Sequence, residues 1–225
     1  MKADSDELLS TLEQKASPAH AALLVVDVQN DFVATGGFFH QVGADVKKIQ
    51  QSIPPLSNLI DRARDAGVLV VFIQAIYDPQ YVSPPMRERD IRVGRTMSRC
   101  QTGSWGAELV IAPRPGDEVV IKHRYSAFAH TELDGLLKRR GIRSLLLTGV
   151  STDTCVESTG RDGYFIDYYV TLVKDCCAGA SDRDHSVAVE RFERDYGPAV
   201  NSADVIDAWE RSGALVTRRV AARAG

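Results

Sequence analysis

Runs of consecutive apolar residues alternate along this chain with segments whose apolar positions recur every three or four residues. Ala21-Ala22-Leu23-Leu24-Val25-Val26 is continuous and ends in Asp27, as a strand buried on both faces does. Val68–Ile73, Glu118–Lys122, Ser144–Thr148 and Tyr169–Val173 repeat the pattern, and Pro198–Val200 predicts a short last strand. Between them lie helical segments. Pro54-Pro55 opens a helix that turns Leu56, Leu59, Ile60 and Ala63 to one side and stops at Gly67. Thr131–Arg140 follows, with Thr131 and Asp134 resembling a capping box and Gly141 as its end. Cys155–Ile166, Asp184–Arg194 and Ala203–Arg211 read as further helices, and Ser5 caps a short one through about Gln14, with Asp6 and Glu7 placed against its dipole.

Strands alternating with helices predict an α/β fold: three α/β/α layers around a mostly parallel sheet of about six strands, covered on both faces. Gly36-Gly37 falls in the loop after the first strand. Ala75 to Pro115 is rich in Pro, Arg and Gly and lacks periodicity; a connection that long carries function or short helices. No linker, repeat or low-complexity stretch divides the chain. It is expected to form a single domain over residues 1–225, with residues 1–18 as an N-terminal helical extension.

Composition narrows the function classes. Lys+Arg is 27 against 30 Asp+Glu, a net charge of -3, so no basic excess points to nucleic acid. The apolar runs fall short of the roughly 18–20 residues that cross a bilayer. The polar, acidic start does not read as a signal peptide. The four cysteines, Cys100, Cys155, Cys176 and Cys177, show neither CxxC spacing nor the density of a disulfide scaffold. The five histidines (His20, His40, His123, His130, His185) show no ligand spacing, and no metal is expected. No GxGxxG or GxxxxGK[ST] occurs, so no nucleotide cofactor is expected either, and Gly160–Gly163 lies inside a predicted helix. A cytoplasmic protein with a small-molecule partner, binding neither nucleic acid nor membrane, is the expectation.

Open parallel sheets place their sites at the carboxyl ends of strands. Three polar residues occupy or follow such ends: Asp27 after the first strand, Lys122 on the third and Cys155 after the fourth. Taken singly each has a plain structural role: a turn-capping acid, a solvated lysine, a small buried thiol. Together they make an amide-hydrolysing set. A thiol at a helix start near an ammonium is biased toward thiolate. A neighbouring carboxylate accepts its proton and later delivers it to a leaving amine.

Three blocks, Val26-Asp27-Val28-Gln29-Asn30-Asp31-Phe32, Ile121-Lys122-His123-Arg124-Tyr125-Ser126-Ala127-Phe128 and Thr148-Gly149-Val150-Ser151-Thr152-Asp153-Thr154-Cys155-Val156, resemble the isochorismatase-like cysteine hydrolase superfamily in order and spacing. The resemblance runs from about Ala21 to Ala208. It implies a Rossmann-like topology, Asp27 as acid/base, Lys122 as supporting cation and Cys155 as nucleophile. It also implies a cis peptide at Val150–Ser151 and an oxyanion hole of the Ser151 and Cys155 N–H groups. Homodimers or homotetramers are common in the superfamily. The second and third blocks, with the continuation to Phe165, look most like ureidoacrylate amidohydrolases, near the biuret, triuret and N-carbamoyl hydrolases. Three departures matter. Gln74-Ala75-Ile76-Tyr77-Asp78 lacks the metal-binding histidine of nicotinamidases. Cys155 stands where true isochorismatases have no cysteine. Ala75 and Tyr77 stand where ureidoacrylate enzymes usually carry Asn and Trp.

Phe32, Tyr77, Tyr125 and Phe128 fall on predicted site loops, as pocket wall or as packing. Gln74 ends the second strand, free for a substrate amide or for structure. Arg87, Arg89, Arg92, Arg95 and Arg99 form a charged run, mostly solvated or subunit-facing, with one available for a carboxylate. Cys176-Cys177 follows the fifth strand as structural thiols or a vicinal pair. The expected activity is cleavage of a terminal C–N bond in a small linear amide or ureido compound through a thioester, without metal or other cofactor. The rivals are an amidase for maleamate or nicotinamide, a non-catalytic binding protein that kept the fold, and a nucleotide-dependent oxidoreductase.

Overall fold

The computed structural model describes residues 8–215. Six parallel strands form one sheet: β1 (Ala21–Val26), β2 (Leu69–Ala75), β3 (Glu118–Lys122), β4 (Ser144–Val150), β5 (Tyr169–Ala178) and β6 (Ala199–Val200), in the order β3-β2-β1-β4-β5-β6. The chain builds outward from β1 to β2 and β3, then returns to the other side of β1 for β4 and builds the opposite way. The reversal lies between β1 and β4, and in such sheets the crevice opens at the carboxyl ends of those two strands.

β1 is central, and all six of its residues are buried, which is why its apolar run is unbroken rather than alternating. Its side chains divide between two cores. Leu23 and Val25 meet Leu56, Leu59 and Ile60 of α5 (Ile53–Ala66) and Val205 and Trp209 of α10 (Ser202–Arg211). Trp209 Nε1 donates to Ala16 O at 2.7 Å, tying the short α1 (Leu12–Lys15) to the same layer. Ala22, Leu24 and Val26 meet Leu133 and Leu137 of α7 (Leu133–Arg139) and Phe192 of α9 (Asp182–Asp195). α8 (Glu157–Phe165) shares that layer, and Gly160 lets it close: a Cβ there would lie 2.5 Å from Phe192 Cε2. The edge strand β3 departs from the two-face expectation, since Val119 and Ile121 are about half exposed.

Several boundaries also differ from the sequence pattern. The loop after β1 holds three short helices, α2 (Asn30–Val33), α3 (Phe38–Gln41) and α4 (Val46–Gln51), too short to show a period. The segment after β2 contains α6 (Pro84–Arg92) and two 3₁₀ turns, Pro79–Tyr81 and Trp105–Ala107. Thr131 makes no capping box: its hydroxyl donates to Ala127 O and accepts from Leu133 N, while Asp134 turns to Lys138 and Tyr168. Cys155 does not begin an α-helix but lies in a π-helical turn, Thr152–Val156, ahead of α8. Cys176 and Cys177 lie within β5 rather than after it, because β5 is longer than its apolar core and shifts register against β4 between Leu147 and Gly149. Among the described residues the N-terminal helix is α1; Ser5, Asp6 and Glu7 lie outside the described residues. Among the described residues no helix is long and apolar enough to cross a membrane.

Candidate active site

The backbone leaves β1 sharply: Asp27 adopts a positive φ of 52° while its N–H donates to Ile73 O at 2.9 Å. That turn lodges a carboxylate, with no exposed surface, at the strand end. Lys122, the last residue of β3, is equally buried, and its Nζ lies 2.7 Å from Asp27 Oδ2. The ammonium also donates to Arg124 O at 2.9 Å and Tyr125 O at 2.8 Å, so neighbouring carbonyls and one acid compensate its burial. Beside Lys122, the Cys155 side chain is the group that bears on the Asp27 carboxylate, as a hydrogen-bonding partner.

Cys155 comes from the far side of the switch point. Gly149, with φ +111°, lies against β1 so closely that a Cβ would sit 2.0 Å from Val26 O. The Val150–Ser151 peptide is cis. The π-turn then carries Cys155, 8% exposed, into the cavity that Asp27 and Ser151 also line.

The charges act on one another. Burial raises Asp27 above its ordinary carboxylate range, and the nearby Lys122 only partly opposes it. Burial works to lower Lys122, but the charges of Asp27 and then Cys155 hold it above its ordinary value. The Cys155 thiol is pushed up to about 12, chiefly by burial, with Lys122 pulling down and Asp27 pushing up. A helix start alone would favour thiolate; desolvation in this site outweighs it. The resting set is therefore a neutral thiol beside an Asp27–Lys122 pair. Moving the thiol proton to Asp27 leaves the net charge of the trio unchanged.

The cavity has a volume of about 90 Å³. Phe32, Tyr77 and Tyr125 line it as wall, joined by Phe38 and Phe39 from the overlooked α3 and by Thr154. Burial holds the Tyr77 phenol well above its ordinary value, hence neutral. Phe128 is not in the cavity but packs against Tyr168, ring centroids 5.8 Å apart. Gln74 is also absent: its amide donates to Ala107 O at 2.8 Å. Of the arginine run, Arg89, Arg95 and Arg99 line the cavity, more than a mostly solvated segment predicts; Arg92 pairs with Glu88 instead.

Two supports escaped the sequence reading although both lie in the first block. Gln29 is fully buried and staples Ala75 through both its N–H and its carbonyl, at 2.8 and 2.9 Å, while donating to Ala107 O at 2.9 Å. Asp31 accepts from Phe38 N at 3.0 Å and Cys100 N at 2.6 Å. Their signal is a polar residue at every second position from Asp27, immediately after a fully apolar strand. All four cysteines are free and buried. Among the described residues no group of three or more His, Cys, Asp or Glu side chains is arranged to hold a metal ion.

The sequence model of the family described as Isochorismatase domain matches residues 21–204. The chain is 37% identical over 210 residues to ureidoacrylate amidohydrolase RutB of Enterobacter sp. (strain 638), covering 85% of this chain and 90% of that protein. Among solved structures, a cysteine hydrolase from Pseudomonas syringae pv. phaseolicola 1448A aligns with TM-score 0.76 at 25% identity, over 86% of this chain and 94% of the other. N-carbamoylsarcosine amidase from Thermoplasma acidophilum aligns with TM-score 0.65 at 28% identity, over 81% and 95%.

Proposed function

Because this chain belongs to the isochorismatase family, we propose that it is a cysteine amidohydrolase that cleaves a terminal C–N bond of a small linear amide or ureido compound and releases ammonia. The observation that carries the proposal is the buried Asp27–Lys122 pair, 2.7 Å apart, sharing one cavity wall with the Cys155 thiol. The ureido class is supported by the relatives, one named a ureidoacrylate amidohydrolase and another an N-carbamoylsarcosine amidase.

The Asp27 carboxylate, which bears directly on Cys155, takes the thiol proton. The thiolate attacks the carbonyl carbon, a C–S bond forms, and the carbonyl π electrons move onto oxygen. The Ser151 and Cys155 backbone N–H groups receive that oxyanion. Collapse breaks the C–N bond, the nitrogen takes the proton from Asp27, and ammonia leaves a thioester. Asp27 then removes a proton from water as its oxygen attacks the thioester. The C–S bond breaks, the thiolate departs and recovers its proton. Lys122 keeps one negative charge in this buried pocket tolerable, whether it rests on Asp27 or on sulfur. No step calls for a metal or a nucleotide.

The test is an ammonia-release screen over biuret, triuret, ureidoacrylate, N-carbamoyl amino acids, maleamate and nicotinamide. The wild type releases ammonia from at least one of the ureido compounds, and Cys155→Ser loses at least about 10⁴-fold in kcat. Near-full activity in Cys155→Ser or Asp27→Asn would exclude the mechanism.

A further inference from the structure

Behind the turn that carries Cys155 stands a titratable residue that no step of the hydrolysis uses. His185 lies in the first turn of α9, which packs along the π-helical turn Thr152–Val156. Its Nδ1 lies 2.8 Å from Thr152 Oγ1. Thr152 is buried and opens the π-turn, and its carbonyl accepts from Glu157 N–H, which closes that turn. Ser151, directly before it, accepts from Thr154 N at 3.2 Å and Val156 N at 3.1 Å. The Ser151 and Cys155 amides therefore flank Thr152 in one hydrogen-bonded unit, and the Thr152 hydroxyl ties that unit to α9. Among the described residues this hydroxyl has no second hydrogen-bond partner. Two acids face the ring, Asp182 from α9 and Asp153 from the π-turn. Both favour the imidazolium, yet burial outweighs them and holds His185 below its ordinary 6.5. Each acid is partly engaged elsewhere: Asp182 pairs with Lys48 of α4, and Asp153 accepts from Thr154 Oγ1 at 3.2 Å. A neutral imidazole accepts at one nitrogen, so the Thr152 hydroxyl donates to Nδ1. An imidazolium donates at both nitrogens. Protonation would thus reverse the bond and leave the hydroxyl hydrogen in a buried turn without an acceptor.

We propose that His185 is a positioning residue for the hydrolysis: its neutral ring holds Thr152, and through it the Ser151 and Cys155 N–H groups, where they receive the oxyanion, and its protonation loosens them. The inference rests on reading the Cys155 cavity as the hydrolytic site. His185 does not line that cavity, so it acts on the reaction only through the turn. Donors aimed at an oxyanion act in the transition state rather than on the bound substrate. The effect of His185 therefore falls on kcat and leaves KM nearly alone.

The experiment measures kcat and KM against pH on a substrate found by the ammonia-release screen. His185→Leu lowers kcat by roughly 10- to 100-fold with KM little changed. His185→Asn, whose side-chain oxygen can take the Thr152 proton and does not titrate, recovers most of that loss at pH 7.5. The ratio of His185→Asn to wild-type kcat rises as pH falls from 7.5 to 5, because only the wild-type ring takes up a proton; the Asp27 limb is common to both and cancels. A ratio constant with pH, or a His185→Leu loss carried by KM, overturns the proposal. A second measurement works without turnover and without His185→Leu. In ¹⁵N-labelled wild type, the backbone amide resonances of Ser151 and Cys155 shift with the midpoint of the His185 ring. In Thr152→Val the ring still titrates and the two amides no longer follow it. Amides that ignore the ring in wild type, or follow it equally in Thr152→Val, overturn the proposal. If no amide is cleaved but the resonances follow the ring, the hydrolytic reading fails and His185 control of the turn stands. If amides are cleaved but the resonances do not follow the ring, the positioning role fails and the hydrolase stands.

Discussion

Replacing Lys122 by Met removes a fully buried ammonium while keeping most of its volume. Asp27 then stays behind with no exposed surface and no partner charge. The cost has a ceiling, because the carboxyl can take up a proton instead of remaining ionised. From its ordinary value of 3.8, holding it protonated at pH 7 costs about 1.4 kcal/mol per unit, hence at most about 4 kcal/mol. That agrees with the ~3–5 kcal/mol typical of breaking one side of a buried pair. The sign follows from the raised folded-state value. The unfolded carboxyl ionises near 3.8 while the folded one does not, so stability is full at low pH and drains as pH rises through the folded value. At pH 5 the same cost is under about 2 kcal/mol. Urea unfolding of wild type and variant at both pH values reads the difference. The variant is expected to be less stable by up to about 4 kcal/mol at pH 7, with most of the gap recovered at pH 5. A gap of the same size at both pH values would refute the ionised Asp27–Lys122 pair, and with it the availability of Asp27 as a base.

Further outcomes follow from other parts of the site. Because burial raises Asp27, kcat/KM falls on acidification with a midpoint above its ordinary 3.8, measured as ammonia release against pH. With the thiol at about 12, iodoacetamide modification of wild-type Cys155, followed by mass spectrometry, rises about tenfold per pH unit up to pH 10 without a plateau. Glu157, buried at the start of α8, bridges Arg161 at 2.7 Å and Arg191 at 2.5 Å. Glu157→Gln should lower stability in urea by about 2 kcal/mol, since the arginines are partly solvated. Gly149→Ala would drive a Cβ to 2.0 Å from the Val26 carbonyl oxygen at φ +111°; thermal unfolding should show a loss of at least about 3 kcal/mol, or no folded protein.

By itself the sequence determined the strand and helix rhythm, because residues buried on both faces of a parallel sheet leave continuous apolar runs that no neighbour can disguise. It also singled out Asp27, Lys122 and Cys155, since polar residues terminating or following such runs stand out, and three of them recurred in recognisable blocks. The short helices after β1, and with them Phe38 and Phe39, left no period to read. Phe128 and Gln74 carried no mark separating a wall residue from a packed or stapled one. Only the tertiary structure sends Phe128 to Tyr168 and Gln74 to Ala107. The folded chain also reverses part of the electrostatics. The local helix start around Cys155 argues for a lowered thiol, whereas desolvation, which depends on everything packed around the sulfur, raises it. The arginine run shows the same division. As a string, Arg87 to Arg99 is a charged, aperiodic surface segment. Its fold turns Arg89, Arg95 and Arg99 inward around a single acid, because the rings of Phe38 and Tyr77, distant in sequence, supply faces on which guanidinium groups can rest out of water.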